Sequence, residues 1–216
     1  MVQGVDSEQF RPDDEIKKLA RLAEDLGVDG ALMAGTAEQA LVAVGKAANG
    51  ATWLAAWEAA KDPWFNFISG NGFYSTDKYW IDHLDIPVGY LRDDIPRVKA
   101  GEGIERPTDR LLAERDRITA EYREMMDDAA QGVFDGKLGL ARTVFPYVED
   151  HNFHIEHWAL GVFWRKMREL SELLAGAGFW PVADGMFYLN RNEVRDVLWD
   201  YCASWAIGTR NVGSAI

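Results

Sequence analysis

Three of the four histidines of this 216-residue chain fall in one short run, Glu149-Asp150-His151-Asn152-Phe153-His154-Ile155-Glu156-His157-Trp158. An imidazole with its ordinary pKa near 6.5 can take a hydroxyl proton at neutral pH, and a neighbouring carboxylate can fix its tautomer. On a helix advancing about 100° per residue, successive histidines are offset by about 60°, so the three share one arc. Tyr147, Asp150, Trp158, Gly161, Arg165 and Arg168 project into the same sector. Three uses are open: a substrate face with a histidine base, a metal site completed by Asp150 or Glu149, or bridges to neighbouring helices. The spacing argues against metal. Zinc-protease helices pair histidines at i and i+4 with a glutamate beside the first, and diiron bundles need Glu-x-x-His on two helices.

That run must be carried by a helical scaffold. Apolar residues from Ile16 to Leu26 follow helical spacing after Arg11-Pro12-Asp13-Asp14, and Gly27 closes the helix. A second helix starts at a Thr36 cap and stops at Asn49-Gly50, and a third starts near Thr52. Over 62–77 the helical pattern breaks into an aromatic-rich loop containing Trp64, Phe65, Phe67, Phe73 and Tyr74. Such a loop either plugs a core edge or lines a pocket for a flat ligand. Helices are expected again at 78–83, after Pro87, over 107–131 with Gly132 and Gly136 at its end, and over 137–175, where Pro146 kinks or divides the element. Met186-Phe187-Tyr188-Leu189 reads as a short extended segment, and a last helix is expected over 191–207. The tail 208–216 reads as the start of a linker, as in a truncated chain. No repeat or sustained alternation occurs, so the expected fold is all-α, a multi-helix orthogonal or bundle-like single domain over 1–216 with long loops.

Charge and composition narrow the partners. With 35 acidic and 23 basic residues the net charge is −12, which repels phosphate backbones and anionic lipid, so neither nucleic acid nor membrane is an expected partner. Arg106, Arg110, Arg115 and Arg117 interleave with Glu105, Asp109, Glu114 and Asp116, the pattern of a solvated helix face. The lone Cys202 excludes an internal disulfide and fits a reducing compartment. With no signal pattern and no membrane-spanning run, a cytoplasmic location is expected.

The segment 147–153 through Trp164-Arg165-Lys166-Met167-Arg168, followed by Gly176-Ala177-Gly178-Phe179 and by Asp184-Gly185-Met186-Phe187-Tyr188-Leu189-Asn190-Arg191-Asn192-Glu193-Val194, resembles phosphoenolpyruvate-utilising phosphotransferases. The likeness is to the helical region preceding their swivelling phosphohistidine domain, as in rifampicin phosphotransferase and phenylphosphate synthase-like dikinases. It covers 147–205 best, with weaker similarity at 72–74 and 115–118. In that family an ATP-binding domain charges a histidine on the swivelling domain, which carries the phosphoryl group to an acceptor held by a helical domain.

The resemblance implies an acceptor-binding domain or subunit of a larger multidomain enzyme, with ATP and Mg bound on partner domains and no cofactor in this chain. A glycine-rich phosphate loop is missing, as is the glycine-rich context of the carrier histidine, so none of His83, His151, His154 or His157 inherits the carrier role. The acceptor implied is a small aromatic or phenolic hydroxyl compound. In this reading His154 or His151 orients or deprotonates the hydroxyl, with Asp150 or Glu149 behind it, while Arg165 and Arg142 stabilise phosphoryl charge. Tyr147, Trp158, Trp64 and Phe65 are the candidate walls. The rival reading is a non-catalytic helical interaction or regulatory module whose histidine face docks a protein.

Overall fold

Apolar side chains at three- and four-residue spacing, punctuated by glycine and capping residues, fold the N-terminal part into helices around a tryptophan-rich core. The computed structural model describes residues 2–4, 6–69 and 77–203. Helix α1 (Arg11–Asp25) buries Ile16, Leu19, Ala20 and Ala23 and ends before Gly27, whose φ of 69° suits glycine. A short α2 (Asp29–Leu32) follows. The Thr36 cap of α3 (Ala37–Gly45) closes a capping box with Gln39. Helix α4 (Gly50–Lys61) begins at the glycine expected to end its predecessor. It presents Trp53 and Trp57, stacked at 5.5 Å and wholly buried, to the centre of the core. The Trp53 indole N–H donates to the Leu19 carbonyl at 2.9 Å, locking α4 onto α1. Helix α5 (Asp85–Lys99) packs on α1 with Val88, Leu91 and Ile95.

Residues 78–83, expected as a helix, form turns and one antiparallel bridge between Ile68 and Tyr79. Their aromatic side chains override the local helical pattern by packing inward: Trp80 meets Phe65 and Phe67 edge-on.

Helices α6 (Thr108–Glu124) and α7 (Asp128–His151) form a long hairpin that buries no side chain fully. The expected helix over 107–131 breaks because Asp127 caps a new one, accepting from the Ala130 N–H at 2.8 Å. Gly132 and Gly136 therefore sit inside α7, and Pro146 does not divide it. The hairpin is held by Arg142 donating to Thr119 at 2.9 Å and by the Arg123–Asp135 ion pair at 2.8 Å.

From α7 the chain runs without a break through a π-helical segment (Asn152–Ala159) into α8 (Leu160–Gly176). A 3-10 turn (Gly185–Tyr188), expected as an extended segment, leads into α9 (Arg191–Cys202). These C-terminal elements share a small core of Leu174, Phe179, Trp180 and Met186. Buried Ser171 anchors it, its hydroxyl accepting from the Met186 N–H and its carbonyl from the Trp180 indole. The last helix is described to Cys202; the tail expected to read as a linker lies outside the described residues. The described chain is all-α, as expected, and no described helix is long and apolar enough to cross a membrane.

Candidate functional site

The histidine run does not lie on a regular α-helix. Through the π segment the backbone bonds i to i+5, so each residue turns the helix by less than 100° and residues four apart stay on one face. Burial follows that period: Phe153, His157 and Gly161 are buried and Arg165 is half-buried, while Ile155, Ala159 and Phe163, two places on from the first three, are exposed. A regular α-helix would drift by about 120° over those twelve residues. The wide turns thus keep one continuous stripe against segment 62–82.

Each position of the stripe has a partner there. Phe153, fully buried, lies 5.3 Å from the Trp64 ring, and His157 stacks on Phe67 at 4.4 Å and 17°. The Ile68 N–H donates to His157 Nδ1 at 3.3 Å. Gly161 admits the Tyr79 ring: a Cβ there would stand 2.6 Å from a ring carbon. Arg165 donates to Asn66 Oδ1 and brings Nε within 3.2 Å of Asp82, while Arg168 donates to the other Asp82 oxygen at 2.6 Å.

Two groups in this cluster are held neutral. Burial drives the His157 pKa down to about 4, and Nδ1, as acceptor of the Ile68 amide, leaves the proton on Nε2. Burial, reinforced by Asp77 and Asp82 against Arg168 and Arg165, pushes the Tyr79 phenol up to about 12. Its hydroxyl makes no hydrogen bond among the described residues.

The buried imidazole gives stability an acid-side slope. Because the folded pKa lies below the ordinary 6.5, the unfolded chain binds more protons between those values. Stability is full above about pH 6.5 and falls by about 3 kcal/mol as pH drops to about 4. His157→Phe, which keeps the ring stack, is expected to remove that loss. Urea midpoints at pH 7 and pH 4.5 measure it, and an equal loss in variant and parent would refute the assignment.

His151, His154 and His157, expected on one arc, are spread by the π turns, with His157 inside and the other two exposed. His154 lies against Phe153 and Trp158, at 5.3 and 5.9 Å between rings, and Tyr147 stands 6.4 Å from His151. Asp150 accepts from the backbone N–H of Glu8 at 2.7 Å, tying the N-terminal segment to α7. Glu149 is half-buried on the same helix. Arg165 is held at Asp82 and Asn66 on the docked face, and Arg142 is engaged with Thr119 and, at 3.6 Å, Asp116. Phe65 is a core residue between Trp57 and Trp80, and Trp64 is half-buried on Phe153, so these two act as the core plug of the aromatic loop. Phe73 and Tyr74 lie outside the described residues.

Among the sequence candidates, the structure brings together Tyr147 with His151 and His154 with Trp158, on the solvent side of one helix. Asp82, Asn66 and Tyr79 escaped the sequence reading because the partners of Arg165 and Arg168 are more than eighty residues away. Among the described residues no three metal-ligating side chains converge. A cleft of about 300 Å³ opens elsewhere, near Phe10, Arg11 and Thr108. Its Arg11 is taken by Asp6 and Asp14, and its Arg106 guanidinium lies 3.5 Å over the Phe10 ring. The element 184–194 has a structural use: Glu193 caps the Asn190 N–H at 2.7 Å and starts α9. Comparison of the chain with known protein families, curated proteins and solved structures finds no match.

Proposed function

We propose that the chain is the acceptor-binding helical part of a dikinase-like phosphotransferase, holding a small phenolic compound on the outward face of the π-bulged helix. The observation that carries this reading is the exposure of His154 beside Trp158, with the opposite face of the same helix fully committed to docking. An exposed imidazole beside an indole offers a base and a flat wall, the two things a phenol needs. The site is open because its second wall belongs to the phosphohistidine domain that would deliver the phosphoryl group, with ATP and Mg on a further domain. His154 takes the hydroxyl proton; His151 flanks the approach about one turn away and Tyr147 about two. Arg165, engaged by Asp82, positions the helix.

Titration of the full chain with phenol, read by the histidine and tryptophan resonances in NMR, tests the reading. Saturable binding in the millimolar range or tighter is expected, with His154→Ala weakening it about tenfold and leaving the melting temperature unchanged. Absence of saturable shifts at His154 and Trp158 would overturn it.

A second reading, a helical module that docks protein, is favoured by one observation: α7 runs 24 residues without burying a side chain.

A further inference from the structure

The two faces of α7 differ sharply. Gln131, Phe134, Leu138, Arg142 and Phe145 are half-buried on the α6 side. The opposite face is apolar and open, with Val133, Leu140, Val144 and Tyr147 at helical spacing and Leu140 and Tyr147 exposed by 65% and 71%. Ile155 continues the stripe through the π segment, and Met125, 78% exposed, stands at the hairpin tip. A helix with an apolar stripe on each of two sides is the pattern of an element covered on both.

The order of the outer stripe is symmetric about Leu140. Residues equidistant from it pair large with large or large with small: Val133 with Tyr147, Met125 with Ile155, Gly136 with Val144, Gly132 with Val148. Each helical glycine costs about 1 kcal/mol relative to alanine, and both stand against open space. An antiparallel copy of the same helix would bring Val144 against Gly136. With an aromatic side chain counted at about 150–250 Å² and aliphatic ones at somewhat less, the exposed parts of these seven apolar side chains amount to about 800 Å². That is about what each partner buries in a stable interface of standard size.

We propose that the outer face of α7 pairs with the same face of a second copy of the chain, antiparallel, about a dyad through Leu140. The inference rests on the second reading; it leaves His154 and Trp158 beside the stripe but covers Tyr147, so that ring is not open to an acceptor in the paired form. The docked face of the π segment points the other way, so the N-terminal core does not obstruct the pairing.

Sedimentation equilibrium of the full chain in the micromolar range is expected to give a dimer, with Leu140→Glu raising the dissociation constant about 100-fold because two carboxylates meet at the dyad. In a Cys202→Ser background, Leu140→Cys is expected to cross-link to itself under oxidised glutathione. Met125→Cys is expected to do so only when Ile155→Cys is also present. A dimer that Leu140→Glu leaves intact, or one in which Met125→Cys cross-links alone, overturns the pairing. A monomer also overturns it, and hydrogen exchange then separates the two readings. If amides over 128–151 stay protected, the outer face needs no cover and the second reading fails as well. If they exchange freely, only self-pairing fails.

Discussion

Gly161→Leu is expected to lower stability by about 3 kcal/mol and to release the π segment from segment 62–82. Even a Cβ at this position would meet two Tyr79 ring carbons at 2.6 and 2.8 Å. The ring is fully buried, so it has no room to swing away. Overpacking of this kind costs about 1–3 kcal/mol, and the docked contacts of Phe153 and His157 go with it. Those contacts make the expected loss larger than the clash alone. Hydrogen exchange gives a specific signature: the Ile68 amide, which donates to His157, should lose protection while amides of α1 and α4 keep theirs. Gly161→Ala should show the same pattern at about half the cost. A leucine variant with parental melting temperature and a protected Ile68 amide would show that the close approach of Tyr79 is not required.

Trp53→Ala is expected to cost about 4 kcal/mol, and its effect should be global. The indole is wholly buried, stacks on Trp57 and donates to the Leu19 carbonyl, so its removal opens a cavity where α1 and α4 meet. Against the 5–15 kcal/mol typical of a domain, that loss is a large share of the total. In this variant protection should fall across α1, α4 and α5 together, and the urea midpoint should shift with an unchanged slope. A loss confined to the π segment, or one below about 1 kcal/mol, would place the core elsewhere. Opposite patterns in the two variants would establish that helix docking and body folding are separable events.

The legible part of the fold lay in local signals. The Thr36 cap, the α1 stripe and the start of α9 at Arg191 are each written within a few residues. The aromatic loop was visible as a break, and its core-plugging role was one of two readings left open. What escaped the sequence was long-range or depended on backbone hydrogen bonding. No proline or glycine marks 152–159, so a spacing argument at 3.6 residues per turn placed three histidines on one arc. The i to i+5 turns moved His157 inward and left His151 and His154 outside. Arg165 looked available for phosphoryl charge because nothing in its neighbourhood of sequence announces Asn66 or Asp82. Gly132 and Gly136 looked like helix terminators because glycine usually is one, and Asp127 two turns' length before Gly136 was the true start signal.

The wide turns of the π segment also act as a phase adjuster between two halves of one rod. Straightening 152–159 into regular α-helix at unchanged length would add rotation at each of its residues and turn everything that follows about the axis of the rod. Arg165 and Arg168 would then swing away from Asp82 even though every side chain of the contact was still encoded. A straightened helix of this kind would keep its composition and its helical content and lose its address on the N-terminal body.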